Sequence, residues 1–575
     1  MNRKLHLHIL LLLIALATPA AWAQDPTAPG PFAVTREEYN FGDTAFTPSN
    51  FPGPVELLAS VHHPTDVSGG PFPLIVFLHG RHATCYNGQG AAFLEWPCSA
   101  GRTPIPSYQG YDYVGSLLAS QGYFVISISA NGVNAVDNTV FDLGALARAE
   151  LIQKHLDIWK GFTTTGGAPF GTRFVGKVDL TRVGTMGHSR GGEGVARHFT
   201  FNLSQGSPYG VRAVLPLAPT DFNRTLVNNV PLLVMLPYCD GDVVNLQGVH
   251  FFDDVRYNVP GDPASKHYVL VMGADHNLFN TVWSPSSGIP GAADDWVAFV
   301  PGGVADSFCG TGKTSGRLTE SQQRAVSTGF FTAFFRTFVG GETQFLPILT
   351  GDAPPPPGVT RNLFVTYHAP DNPFLRRDVN RFLTAAELSS NVLGGAVTPK
   401  ALSPYEICGG PAPFPPRCIP SANNSQQPHT APSARSNAAG LSQLHSGWNS
   451  ANGSLRDDLP PTRRNVSGFQ AIQFRVVVDF SDPRNVPNVS QDFHVVLTDA
   501  SGFSASVSVG SVSDALYFPP GETIVVPKIV LSTVRIPLSA FRRVNLNAVK
   551  SVAFQFDQKL QGNVLIDDVA FASTP

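Results

Sequence analysis

The sequence is poor in charge, and after its N-terminus it has no long apolar segment. Only 14% of the 575 residues are charged, the formal net charge is -3, and runs of like charge are absent. A chain without a basic patch is not expected to bind a phosphate backbone or an anionic membrane surface, so nucleic acid is not a predicted partner. The lack of a second apolar run of about 20 residues predicts no transmembrane anchor.

The N-terminus carries the features of a secretory signal peptide. A basic start at Asn2-Arg3-Lys4 is followed by an apolar run from Leu5 to Ala17, and Ala21-Trp22-Ala23 ends the segment before Gln24. This pattern of basic, apolar and small residues predicts cleavage after residue 23. The mature protein is therefore expected to begin near Gln24 and to be released outside the cell or into a periplasm.

Six cysteines are present, and none lies in a C-x-x-C spacing. In an exported chain this number favours three disulfides over zinc ligation, although several pairings are formally possible. Proximity along the sequence predicts three pairs: Cys85 with Cys98, Cys239 with Cys309, and Cys408 with Cys418.

The length predicts two domains, because single hydrophobic cores stop growing near about 250 to 300 residues. With 43% hydrophobic residues, 54 glycines, 49 prolines and 40 phenylalanines, the composition is that of a loop-rich globular protein. Four consecutive prolines within Ala353 to Gly358 mark the boundary, since such a run stays extended. The predicted division is a first domain at 24–350, a linker at 351–358 and a second domain at 359–575.

The two predicted domains differ in their patterns. Before the prolines, short apolar runs alternate with stretches of helical spacing, which predicts an α/β domain with a mostly parallel sheet. The strands are expected at Pro73–Leu78, Tyr123–Ser129, Arg182–Met186, Ala213–Leu217, Leu232–Leu236 and Tyr268–Met272, and the helices at Leu143–Trp159, Gly191–Leu203 and Thr319–Phe338. After the prolines only β-type runs occur, which predicts a β-sandwich. These runs are Phe469–Phe480, Phe493–Thr498, Ala505–Val509, Lys528–Pro537, Val549–Phe556 and Val564–Phe571.

A nucleophile elbow is predicted where the strand at Arg182–Met186 runs into Gly187-His188-Ser189-Arg190-Gly191-Gly192 and then into a helix. A serine at such a turn sits on a strained backbone, and the flanking glycines are needed because a Cβ there would collide with neighbouring elements. Ser189 is therefore the predicted nucleophile. A serine hydroxyl is a poor nucleophile at neutral pH and needs a histidine base that a carboxylate orients.

The acid and the base are expected after the next strands. The strand at Leu232–Leu236 leads to two carboxylates, Asp240 and Asp242, either of which could orient the base. The strand at Tyr268–Met272 leads to His276, the predicted base. The order serine, acid, histidine is the one that an α/β hydrolase requires.

The remaining site residues follow from the same scheme. The oxyanion donors are predicted to be the backbone N–H groups of Arg190 and of Arg81, which follows the strand ending at Leu78. Candidates for substrate contact are Tyr86, Trp96, His188 and Phe279, although an aromatic residue such as Phe279 could equally belong to the core. No group of histidines has glutamate or cysteine partners at useful spacing, so no metal site is predicted.

Together these motifs resemble the α/β-hydrolase superfamily over about Pro73 to Phe345. The elbow sequence resembles those of cutinase-like polyester hydrolases, dienelactone-hydrolase relatives and chlorophyllases. The resemblance implies a serine esterase or lipase without a cofactor, and it favours Asp240 over Asp242 because the acid of this fold commonly reads Asp-x-x-Val, as Asp240 to Val243 does.

The second domain resembles jelly-roll or galactose-binding-like modules of secreted hydrolases, through Val534–Phe541 and Val564–Phe571. This resemblance implies a glycan or polymer as a ligand, or a structural role. It also raises a structural calcium ion at Asp567 or Asp568 as an alternative to a solvated acidic pair.

The predicted function is hydrolysis of carboxylic esters, with a polymeric or insoluble ester as a possible substrate. Two alternatives stay open at this point. A serine peptidase of the same fold would use the same three residues, and an exported binding protein could retain an inactive hydrolase scaffold.

Overall fold

The structure is a computed structural model, and it describes residues 25–311, 316–409, 418, 429, 442–520 and 528–575. The predicted signal peptide at 1–23 lies outside the described residues. Among the helices of the described part, none is long and apolar enough to cross a bilayer.

The first part of the chain forms a nine-stranded sheet in the order β1-β2-β7-β3-β8-β9-β10-β11-β12. Six neighbouring strands, from β7 to β11 in this order, are parallel, and β1, β2 and β12 pair antiparallel at the two edges. Three short strands, β4 to β6, form a separate small sheet. The strands are β1 (Val34–Asn40), β2 (Leu58–Pro64), β3 (Phe72–Leu78), β4 (Cys85–Asn87), β5 (Ala92–Phe93), β6 (Arg102–Pro104), β7 (Phe124–Ile128), β8 (Val178–His188), β9 (Val211–Leu217), β10 (Leu232–Pro237), β11 (Lys266–Val271) and β12 (Leu363–His368).

Helices cover both faces of this sheet. They are α1 (Asp112–Ser120), α2 (Asn131–Val136), α3 (Ala145–Thr164), α4 (Arg190–Ser204), α5 (His250–Asp253), α6 (Asp295–Phe299), α7 (Glu320–Phe338) and α8 (Leu346–Thr350). Side chains of β3 alternate between two cores, because successive residues of a strand point to opposite faces. Leu74 and Val76 pack with residues of α3 and α4, whereas Ile75 and Phe77 pack with residues of α1 and α7. The predicted α/β architecture is confirmed.

Helix α7 begins where the sequence predicts it. Thr319 is the N-cap of α7, and its hydroxyl accepts a hydrogen bond from the backbone N–H of Gln322. The Gln322 side chain in turn accepts from the backbone N–H of Thr319, which completes a capping box. The helix that follows buries Phe330, Phe331 and Phe334 against the sheet.

The change from the first sheet to the second part of the chain falls after the predicted linker. The strand β12 follows the prolines, yet it pairs antiparallel with β11 and closes the edge of the first sheet. The mostly parallel sheet therefore extends to His368, beyond the predicted linker at 351–358.

The second part forms two antiparallel sheets that enclose one apolar core. One sheet has the order β15-β16-β23-β18-β21 with β13 also paired to β23, and the other has the order β14-β17-β22-β19-β20. A β-sandwich is thus confirmed. Its strands are β13 (Arg376–Asn380), β14 (Val397–Lys400), β15 (Tyr405–Cys408), β16 (Gln443–Trp448), β17 (Gly453–Asp458), β18 (Ala471–Val478), β19 (His494–Asp499), β20 (Ser504–Ser508), β21 (Ser532–Pro537), β22 (Val549–Phe556) and β23 (Gly562–Ala572).

All three predicted disulfides are present, with Cys85 bonded to Cys98, Cys239 to Cys309 and Cys408 to Cys418. The first lies in and beside the small sheet of β4 to β6, and the second joins the turn after β10 to a loop that precedes α7.

The two aspartates considered for calcium bind arginines instead. Asp567 is 2.9 Å from Arg256, and Asp568 is 2.7 Å from Arg475. Two guanidinium groups therefore occupy the surroundings in which a calcium ion would need further oxygen ligands, so these carboxylates do not fit a calcium site. Asp567 and Asp568 belong to the sandwich and Arg256 follows α5, so the cluster joins the two parts of the chain.

Candidate active site

Ser189 lies at a strained turn between β8 and α4. Its backbone has φ 57° and ψ -126°, a conformation that a residue with a side chain rarely adopts. Added Cβ atoms at the flanking glycines would collide with backbone, because one on Gly187 would lie 2.0 Å from the carbonyl oxygen of Gly191, and one on Gly191 would lie 2.6 Å from that of Leu78. The glycines of the motif are thus required by the close approach of a strand and a helix.

The loop after β3 touches the same turn. A Cβ added to Gly80 would lie 2.5 Å from both the Cβ of Ser189 and the carbonyl oxygen of His188. This contact places Arg81, the next residue, beside the serine at the rim of the same cleft. Within the described residues, the backbone N–H groups of Arg81 and Arg190 donate no hydrogen bond, so both are available to an incoming acceptor.

His276 pairs with Asp240 at the carboxyl ends of β10 and β11. The Nδ1–H of His276 donates to Oδ2 of Asp240 over 2.8 Å. The other oxygen of Asp240 accepts from the backbone N–H groups of Asp242 and Val243, at 2.9 Å and 2.6 Å. Asp240 is completely buried, whereas the side chain of Asp242 is 53% exposed and lies 3.6 Å from Nε2 of His276. The geometry thus brings Asp240, and not Asp242, to the nitrogen that a triad acid must hold.

The carboxylates control the charge of the histidine. Burial alone would lower the pKa of His276, but Asp240, and then Asp242 and Asp275, outweigh burial and raise it to about 9. The Nε2 atom of His276 is buried and has no hydrogen-bond partner among the described residues. An imidazole fixed through Nδ1 and unpaired at Nε2 is suited to accept a proton from a hydroxyl group.

Buried contacts fix the acid turn to the histidine loop. Asp295 at the start of α6 accepts a hydrogen bond from the backbone N–H of Gly241 on one oxygen and from that of Asn277 on the other. The backbone N–H of Cys239 donates to the carbonyl of Ala274 over 2.8 Å. Each contact joins a neighbour of Asp240 to a residue within two positions of His276. Together with the disulfide of Cys239, they limit the relative movement of acid and base.

A cleft of about 270 Å³ opens at Ser189. It is lined by Arg81, Ser189, Arg190, Thr220, Phe222, Asp242, Val243, Val244, Asn245 and Gln247. The two arginines form ion pairs with the same buried carboxylate, because Asp137 lies 3.0 Å from Arg81 and 2.9 Å from Arg190. Asp137 also binds the buried Arg148 over 2.8 Å. One carboxylate thus orders both chain segments that carry the predicted oxyanion donors.

The four predicted substrate contacts do not line this cleft. His188 and Phe279 are completely buried. The ring of His188 packs 4.9 Å from that of His276, so it supports the base rather than meeting a substrate. Tyr86 packs against a small cluster around Trp283, and the indole N–H of Trp96 donates to the carbonyl of Asp43. Tyr86 and Trp96 lie away from the cleft because the disulfide-bonded loop that carries them folds with a small sheet of its own.

Burial also favours the neutral form of His188. It lowers the pKa of His188 well below its usual value, and the charge of His276 lowers it further. Its Nδ1 is hydrogen-bonded to the Tyr111 hydroxyl at 2.9 Å. A neutral ring beside His276 adds no repulsion when the base takes up a proton.

Sequence reasoning missed most of the cleft wall. Thr220 and Phe222 follow β9, and Val244 and Gln247 follow β10. Ligands of open α/β sheets bind outside the carboxyl ends of the strands. The position of these loops, directly after two central strands, could therefore have identified them as part of the cleft wall.

Residues 97–288 match the family model for PETase, described as PET hydrolase-like. This family is of the α/β-hydrolase type and supports ester hydrolysis in general. The matched segment contains Ser189, Asp240 and His276, and it spans a third of the chain, leaving out the strand before Arg81 and the whole sandwich. No curated protein matches the sequence significantly.

Proposed function

We propose that the protein is a secreted serine esterase that hydrolyses carboxylic esters through Ser189, His276 and Asp240. The observation that carries the proposal is the hydrogen bond between His276 and Asp240, with Nε2 lacking a partner among the described residues. The ring of His276 packs 4.9 Å from that of His188, the residue before Ser189, and Ser189 lines a cleft. The family match supports an ester as the substrate. A cutinase-like or dienelactone-hydrolase-like subtype and a polyester substrate are finer predictions within it.

The first half of the reaction forms an acyl-enzyme. The Oγ atom of Ser189 attacks the ester carbonyl carbon while Nε2 of His276 takes the hydroxyl proton. The carbonyl oxygen becomes an oxyanion and accepts hydrogen bonds from the backbone N–H groups of Arg81 and Arg190. The C–O bond to the alcohol then breaks, and the leaving oxygen receives the proton from His276.

The second half releases the acid. A water molecule attacks the acyl carbon and gives its proton to Nε2 of His276, which restores the oxyanion in the same place. The bond to Ser189 breaks, and the proton passes from His276 to the serine oxygen. The carboxylate of Asp240 stays ionised throughout and stabilises the imidazolium that forms in each half.

The test is hydrolysis of p-nitrophenyl esters, from acetate to dodecanoate, by the full mature chain, with Ser189→Ala as the matched variant. A fluorophosphonate label reports the reactive serine directly. Turnover and labelling that are both lost in Ser189→Ala are the expected result, and the preferred acyl length measures the cleft.

Two other outcomes would replace the proposal. Cleavage of chromogenic peptides in preference to esters would favour a peptidase, since the triad alone does not distinguish amides from esters. A folded wild-type protein with neither turnover nor labelling would favour a binding protein.

A glycan or polymer ligand for the sandwich is a separate prediction, and pull-down on cellulose, chitin or polyester powder tests it.

A further inference from the structure

A lysine from the second part of the chain reaches the turn that carries the acid. Lys528 precedes β21 and is only 2% exposed. Its ammonium group donates to the backbone carbonyl of Tyr238 over 2.6 Å and to that of Asp240 over 3.0 Å. These two acceptors are separated from the lysine by nearly 300 residues of sequence, so the contact exists only because the sandwich packs on the first sheet.

The surroundings of Lys528 are built for a cation. The ammonium lies 4.5 Å from the centre of the Trp296 ring, a favourable position for a cation. The charged groups that face it are Asp240, Asp295, Asp306 and Arg317. Burial lowers its pKa to about 8, against the attraction of the three aspartates, so the lysine is mostly charged at neutral pH.

The segment that carries Lys528 is anchored on the first part of the chain. The backbone N–H of Leu531 donates to Nε2 of His429 over 2.9 Å, and Nδ1 of His429 donates to Asp253 at the end of α5. Asp253 also accepts from Arg475 of β18 over 2.9 Å. The segment is therefore fixed three residues after Lys528 by a buried hydrogen bond to His429, which is held in turn by a charge-assisted hydrogen bond to Asp253.

The contact constrains the acid itself. The carboxylate of Asp240 is oriented by two backbone N–H groups of its own turn, and its carbonyl is oriented by Lys528. Rotation of the backbone at residue 240 would move the carboxylate away from Nδ1 of His276. A fixed carbonyl therefore limits the positions that the carboxylate can adopt.

We propose that Lys528 is a positioning residue for the acid, through which the sandwich completes the active site of the hydrolase. The inference rests on the proposed function, since it assumes that Asp240 orients a catalytic His276. It gives the second part of the chain a role in the chemical step that a tethered binding module would not have.

The test compares Lys528→Met with Ile536→Ala in the full-length chain. Methionine keeps an unbranched side chain, one atom shorter than that of lysine, without its donors or charge, whereas Ile536 is a completely buried core residue of β21. Its truncation weakens the sandwich without touching the acid turn. Lys528→Gln keeps two N–H donors without the charge, and it serves if the methionine variant does not fold.

Three measurements separate positioning from stability. For Lys528→Met we expect kcat on p-nitrophenyl butanoate to fall about 10- to 100-fold, with KM within about twofold, because misplacing a catalytic group costs rate while the cleft is intact. The rate of fluorophosphonate labelling should fall in parallel. The downfield NMR signal of the imidazole N–H between His276 and Asp240 should shift or broaden. Ile536→Ala should lower the melting temperature but keep kcat and this signal.

The outcomes distinguish the two proposals. A folded Lys528→Met or Lys528→Gln protein with wild-type kcat, labelling rate and imidazole signal would overturn the role of Lys528 while leaving the esterase intact. An equal loss of kcat in Ile536→Ala would also overturn it, because general loosening would then explain the effect. A wild-type protein that is no more active than Ser189→Ala would overturn the proposed function itself.

Discussion

Replacing Asp240 by asparagine should abolish most of the esterase activity while leaving the cleft unchanged. Asparagine has nearly the same shape, and its carbonyl oxygen can still accept from the backbone N–H groups of Asp242 and Val243. In that orientation its NH₂ group faces Nδ1 of His276, which must then become an acceptor. The proton of the imidazole would move to Nε2, the atom that has to receive the proton of Ser189.

The size of the loss follows from the pKa of His276. The carboxylates raise this pKa from its usual 6.5 to about 9 in a completely buried site, which corresponds to about 3 kcal/mol of stabilisation of the imidazolium. Asp240 is the largest of the carboxylate contributions, and the loss of about 3 kcal/mol predicts a kcat lower by about 100-fold. The wrong tautomer adds to this, and the combined loss should lie between about 10²- and 10⁴-fold.

Asp242→Asn is the matched control. Its carboxylate is half exposed and faces Nε2 from 3.6 Å, so solvent screens it and kcat should change less than about fivefold. Initial rates on p-nitrophenyl butanoate, with far-UV circular dichroism to verify folding, measure both variants. A large loss in Asp242→Asn together with near wild-type activity in Asp240→Asn would refute the assignment of the acid.

Four further predictions concern the same site and its surroundings. The value of kcat/KM should rise with pH and reach half of its maximum near pH 9, because His276 must be neutral to accept a proton and its pKa is raised to about 9; a pH profile that is already flat at about pH 7 would contradict this. The ion pair between the imidazolium of His276 and Asp240 stabilises the folded state fully below pH 6.5, the usual pKa of a histidine. This contribution is lost as the pH rises through about 9. Urea unfolding below pH 6.5 and above pH 9 measures the difference. Replacing Cys239 and Cys309 by serine opens a loop with a sequence separation of 70 and should lower the free energy of unfolding by about 4 kcal/mol. A decrease of less than about 1 kcal/mol would show that the disulfide does not restrict the unfolded chain. Asp137→Ala should lower both the melting temperature and kcat, because the buried Arg148 and the two cleft arginines lose their shared partner; wild-type kcat in a folded protein would contradict a role in ordering the oxyanion donors.

The central strands could be predicted because their sequences are unambiguous. Strand β3 reads Phe-Pro-Leu-Ile-Val-Phe-Leu and is buried on both faces, as parallel strands between two helical layers must be. The first edge strand escaped prediction for the opposite reason. Strand β1 contains Arg36, Glu37 and Glu38 and is largely accessible, so its sequence carries no clear apolar alternation. Its place in the sheet is set by pairing with β2, which a local pattern does not encode.

In the candidate site, too, some residues could be predicted from a local pattern and others could not. The position of Ser189 could be predicted from a local pattern, since glycines flank it where a strand runs into a helix. The choice of Asp240 over Asp242 required the position of the histidine, because both residues follow the same strand. Asp295 and Lys528 carry no motif at all, and their roles arise from contacts across about 54 and 288 residues of sequence. Single buried polar residues of this kind look in sequence like any other charged residue.

The buried charges between the two parts of the chain argue against a sandwich that swings freely on a linker. Asp253 and Arg256 of the first part contact Arg475 and Asp567 of the second, and all four are buried. Burial and the charge of Asp568 raise the pKa of Asp567, which lowers the excess of negative charge over the two arginines. Ionised groups are tolerated in such a place only while every partner is present, because removing one partner of a buried pair costs about 3 to 5 kcal/mol. Undocking would break these ion pairs together and withdraw Lys528 from the acid turn. A polymer bound by the sandwich would therefore be held in one orientation relative to Ser189, and its reach would be set by the surface between the two parts rather than by the length of the proline run.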